Sequence, residues 1–94
     1  MAIENVRTFP DFIKQFPADG VATVSFTAKT RDEHIGMEVK LPGGKYLTFV
    51  QTLRGRSHET VKRTADYMIT QLDAAGKRHN PLVDRTPIAA AAVS

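Results

Sequence analysis

The chain has 94 residues, 41% of them hydrophobic, with 13 Lys and Arg against 10 Asp and Glu, a formal net charge of +3 and no cysteine. That length suits one compact domain, and the absence of thiols excludes disulfides and thiolate metal sites as sources of stability. The alanine-rich end is too short to cross a bilayer, and Met1-Ala2-Ile3-Glu4-Asn5 lacks the basic and apolar regions of a signal peptide, so the expected setting is the cytoplasm.

Thr8 reads as an N-cap, with Asp11 three residues on and Pro10 in a first turn where its missing N–H has no partner to lose. Phe9, Phe12, Ile13 and Phe16 follow at i, i+3, i+4 and i+7, one apolar face of a short helix that Pro17 stops. Three strand patterns come next. In 22–28, Ala22, Val24, Phe26 and Ala28 alternate with Thr23, Ser25 and Thr27, the pattern of a sheet with one buried face. After the charged link Arg31-Asp32-Glu33, Ile35, Met37, Val39 and Leu41 point inward and His34, Gly36, Glu38 and Lys40 outward. Pro42-Gly43-Gly44 suits a tight reversal into a third strand over 45–53. There Leu47, Phe49 and Leu53 face the core, and Tyr46, Thr48, Val50 and Thr52 face out.

Ser57 caps a second helix whose apolar stripe is Val61, Ala65, Met68, Ile69 and Leu72, with Gly76 as its C-terminal stop. Beyond Asn80-Pro81 the periodicity is lost. The expected organisation is one α+β domain over 1–80 and an extended or flexible tail over 81–94. Its fold would be α-β-β-β-α, a three-stranded antiparallel sheet with both helices packed on one face.

Charge is placed unevenly. The whole positive surplus lies from Arg54 onward, and much of it gathers in Arg54-Gly55-Arg56-Ser57-His58-Glu59-Thr60-Val61-Lys62-Arg63. A strand ends there, a glycine turns the backbone, and a helix begins. The unpaired N–H groups and partial positive charge of a helix start, with added Arg and Lys, point to phosphate. A solvated helix face, with Glu59, Asp66 and Asp73 among the cations, accounts for the same residues.

The order helix, three strands, helix, with His34, the Pro42-Gly43-Gly44 turn, Gly55-Arg56-Ser57 and Lys62, resembles the double-stranded RNA-binding domain. The resemblance covers residues from about Asn5 to Gly76. It implies a His34 loop reaching an RNA minor groove, a last helix holding phosphates, and recognition of A-form shape above sequence. Ser57, Lys62 and His34 match the family pattern, whereas His58 and Glu59 stand where that family places two phosphate-gripping lysines. Arg54, Arg56 and Arg63 are further phosphate ligands by position, outside the family pattern.

Other chemistry finds little support. Asp32, Glu33 and His34 adjoin one another without the geometry of a metal site. Ser57 and His58 point about 100° apart on a helix, with no acid placed to orient the histidine. No catalytic residues, metal or cofactor are expected, and no enzyme. The expected function is binding of structured RNA or a nucleoprotein through His34, Arg54, Arg56, Ser57, His58, Lys62 and Arg63. The alternative is a phage-like inhibitor or adaptor docking on another protein through Tyr46, Thr48, Val50 and Thr52 or an edge strand.

Overall fold

The structure, a computed structural model, describes residues 3–29 and 31–86. Its elements in chain order are β1 (Ile3–Asn5), α1 (Phe9–Gln15), β2 (Val21–Thr27), β3 (His34–Lys40), β4 (Tyr46–Thr52), α2 (His58–Ala74), β5 (Arg78–His79) and β6 (Val83–Asp84). Both helices start as the sequence dictates. Thr8 Oγ1 accepts the Asp11 N–H at 3.2 Å, and Ser57 Oγ accepts the Thr60 N–H at 3.2 Å, each satisfying a donor that the helix itself leaves open.

Alternation then sets the packing. β2, β3 and β4 pair antiparallel, and the register aligns Val24, Met37 and Phe49 in one row across the inward face. These side chains join Phe12 and Phe16 of the α1 region and Val61, Ala65, Met68 and Leu72 of α2 in a single core. The rings of Phe12 and Phe16 meet edge to face at 5.7 Å, and Phe9 lies 6.0 Å from Phe49. Burying a side chain as large as Phe12, which is fully enclosed, contributes about 1.5–3 kcal/mol. Both helices therefore lie on the same side, because only that side of the sheet is apolar.

The expected three-stranded antiparallel sheet is corrected. The sheet has six strands and is mixed: β1 runs parallel to β4, and β5 and β6 lie end to end along β2, both parallel to it. These additions are two or three residues long, too short to show any period, and they are held mainly by backbone pairing along otherwise open edges. Val83–Asp84, within the stretch read as a tail, forms β6, and half-buried Leu82 packs against the core. Residues 87–94 lie outside the described residues.

Gly20 is the most closely packed of the glycines. A Cβ there would stand 2.6 Å from Val39 Cγ2 and 2.8 Å from Pro17 Cγ, so the packing around it would have to shift. Gly20→Ala is expected to lower the unfolding free energy by about 1–3 kcal/mol through overpacking, measured by urea denaturation.

Candidate functional site

The turn between β4 and α2 is where the cationic cradle was expected. Gly55, at φ +84°, bends the backbone, and Arg54 and Arg56 flank it. The β2–β3 connection closes onto this turn. Leu53 N–H donates to the Glu33 carbonyl at 2.7 Å, and Gly55 N–H donates to Glu33 Oε1 at 2.9 Å. Glu33 is buried, so a carboxylate of the protein itself already occupies the backbone donor offered by the turn. The hollow between Arg31, Asp32, Glu33, Arg54 and Gly55 is consequently lined by acid as well as base.

The cations around it are paired in the same way. Arg54 meets Asp32 at 3.2 Å, Lys62 meets Asp66 at 3.0 Å, and Arg63 meets Glu59 at 2.7 Å. The last two are i,i+4 pairs on one helix face, and all three are exposed, so each contributes well under about 1 kcal/mol. Arg56 makes no ion pair among the described residues. Ser57 is spent on capping. His58 turns away from the cluster: its Nε2 lies 3.3 Å from Asp84 Oδ2, and its ring rests on Phe26 with centroids 5.5 Å apart. His34 is the first residue of β3, on the helix-free face, bonded through Nδ1 to the Asp32 carbonyl. The sheet therefore stands between His34 and the Lys62 and Arg63 pair, which lie on the exposed side of α2.

Two histidine–aspartate contacts fasten the C-terminal strands to the ends of α2. Besides the His58–Asp84 pair, His79 Nδ1 faces the Asn80 carbonyl and Nε2 faces Asp73 Oδ1, both at 2.9 Å. A neutral imidazole can donate to only one of these oxygens, whereas the imidazolium satisfies both. The Asn80 carbonyl foremost, and then the Asp73 carboxylate, raise the His79 pKa above 6.5, against an opposing effect of burial. The Thr86 hydroxyl and N–H, and then His58, hold the Asp84 carboxyl below its ordinary range.

The helix-free face carries the other expected surface. Its rows read Thr27–His34–Thr52, Ser25–Gly36–Val50 and Thr23–Glu38–Thr48, with Lys40 beside Tyr46. Gly36 lies at the centre, and nothing local requires it. Its φ is not in the left-handed region, and an added Cβ would meet only Ser25 Oγ at 3.8 Å. A mid-strand glycine weakens a strand, and one that neither conformation nor crowding demands leaves room for another group to approach closely. Its bare backbone floors a groove of about 200 Å³ whose walls include Ser25, Thr48 and Val50 together with His34, Glu38 and Arg85. Gly36 and Arg85 were not among the expected site residues. The glycine was legible as an interruption at the middle of an alternating strand, but the placement of Arg85 depends on β6.

No family model, curated protein or solved structure matches the chain. Among the described residues no helix is long and apolar enough to cross a membrane, and no group of three or more His, Asp or Glu is placed to hold a metal ion.

Two stability measurements follow from this geometry. Glu33→Ala leaves the Gly55 N–H without its carboxylate and is expected to destabilise the fold by about 1–3 kcal/mol in denaturant titration. Because the folded pKa of His79 is raised, its contribution is complete below the unfolded value of 6.5 and lost as pH rises through the folded value. The difference in Tm between the native protein and Asp73→Asn is therefore expected to hold steady below about pH 6.5 and to shrink as pH rises above it. NMR titration should show His79 titrating lower in the variant.

Proposed function

We propose that this protein is a non-enzymatic protein-binding module, an adaptor or inhibitor that docks a partner on the helix-free face of its sheet. The observation that carries the reading is Gly36. It leaves the middle of that face bare without any conformational or steric need for glycine. Beside it Ser25 and exposed Val50 offer a hydroxyl and methyl groups, while the Thr48 hydroxyl donates to Asn5 Oδ1. Glu38, Lys40 and Arg85 supply the polar rim. The cytoplasm is the setting proposed with this reading, since a chain without cysteine has no disulfide to lose there.

The same geometry weighs against the double-stranded RNA reading. Polyanion binding through Arg54, Lys62 and Arg63 would have to displace carboxylates already paired with them, and Gly55 N–H would have to exchange Glu33 for a phosphate. Nucleic acid is therefore the control in the test. A photo-crosslinking residue at position 48 is expected to yield a discrete protein adduct in the native cell, and Gly36→Gln is expected to abolish it while leaving the fold intact. The same probe at position 63 should give none. Duplex RNA, titrated at physiological salt, should bind no more tightly than non-specific polyanion contact allows, with a Kd no lower than about 10⁻⁶ M. Tight RNA binding lost on Lys62→Glu plus Arg63→Glu, with no adduct at position 48, would reverse the assignment.

A further inference from the structure

Resting on that reading, we infer that the partner enters as an extended, acidic polypeptide segment that adds a strand to the open half of the β4 edge. The register shows which half is open. Leu53 N–H bonds the Glu33 carbonyl, so the odd-numbered residues of β4 turn their backbone groups toward β3. Thr48 O instead accepts the Val6 N–H, so the even-numbered residues turn theirs outward, to the side on which β1 lies. β1 covers Tyr46 to Thr48 and ends at Asn5, and after Val6 the chain leaves to begin α1. The outward groups of Val50 and the N–H of Thr52 have no backbone partner among the described residues, and the Thr52 carbonyl receives only the Gln51 side chain at 3.3 Å.

Native sheets usually guard such an edge with a charge, a proline or a bulge. β4 has none of these: Tyr46–Thr52 is free of charge and of proline, and its pairing with β3 runs unbroken from Tyr46 to Thr52. Val50, 58% exposed, presents its side chain to the helix-free face while its backbone faces the edge, so one added strand would engage both surfaces at once.

The charges choose the occupant. Exposed Arg7 stands where β1 gives way, and exposed Arg54 and Arg56 stand just beyond the other end of β4. A second copy pairing antiparallel through the same edge would bring the two sets of arginines together, and its strand would run into β1 beyond Thr48. An extended segment bearing Asp or Glu at its ends meets Arg7 at one end and, at the other, Arg56, which makes no ion pair among the described residues. Backbone pairing then supplies the affinity, and alternate side chains over Gly36 the selectivity.

The test uses the full chain and a fluorescein-labelled peptide of alternating glutamate with valine and threonine, followed by anisotropy. Saturable binding is expected. N-methylation of alternate peptide amides and Val50→Pro should each weaken it at least about tenfold, the latter by removing one outward N–H at an edge position that tolerates proline. Arg56→Glu should weaken it severalfold and Lys62→Glu should not. The N-methylated peptide keeps the test decisive if Val50→Pro does not fold. No saturation by about 1 mM peptide, equal binding of the N-methylated peptide, or a free protein that is already dimeric through β4 would overturn the edge inference. An adduct at position 48 that survives Val50→Pro but not Gly36→Gln would overturn edge pairing while leaving the face-docking function standing. Loss of both readouts would remove the function as well.

Discussion

One-sided burial governs this molecule. Each of the three long strands places its large apolar side chains at alternate positions on the same face, and no comparable apolar set exists on the other. Both helices have to cover that face, since each carries one apolar side that would otherwise stay in water. The other face is left open by default, because nothing in the described chain has an apolar surface to lay on it. What stands there is then free of the demands of core packing. A glycine at its centre, hydroxyls beside it and a bare strand edge along its rim are compatible with folding only because the opposite face already holds the protein together.

Around the strand–turn–helix junction, most of the charge is paired within the protein. A basic stretch at a strand–turn–helix junction invites a phosphate, yet the junction was completed from elsewhere in the chain. Glu33 reaches the Gly55 N–H from the β2–β3 connection, and Asp32 beside it meets Arg54. Together these contacts tie two loops 22 residues apart into one corner. The remaining pairs, Lys62 with Asp66 and Arg63 with Glu59, are local helix contacts that spread charge across a hydrated surface.

The C-terminal segment follows a related logic on the opposite edge. β5 and β6 are too short to hold themselves, so their place beside β2 rests on a few backbone bonds, on Leu82 against the core, and on His58–Asp84 and His79–Asp73 contacts at either end of α2. The contrast with β4 is instructive. The β2 edge is closed by a dedicated strap, the Ala28 N–H meeting Thr86 Oγ1 at 3.0 Å beyond β6. The β4 edge is closed over only part of its length.

Much of the architecture was legible in order. The two caps, the inward and outward sides of β2, β3 and β4, and the stripe of α2 each depend on residues within a few positions of one another. Periodicity and capping chemistry report such contacts directly, so the sequence by itself determined both helices, the long strands and the two faces they present. It could not determine β1, β5 and β6, whose two or three residues have no period and which exist because a partner strand stands open beside them. Nor could it show that Glu33 would fill the expected anion site, or that Asp84 and Asp73 would claim the histidines. Those outcomes join side chains and edges brought near only when the core closes, and tertiary packing alone decided which charges would pair within the protein and which face and edge of the sheet would stay open.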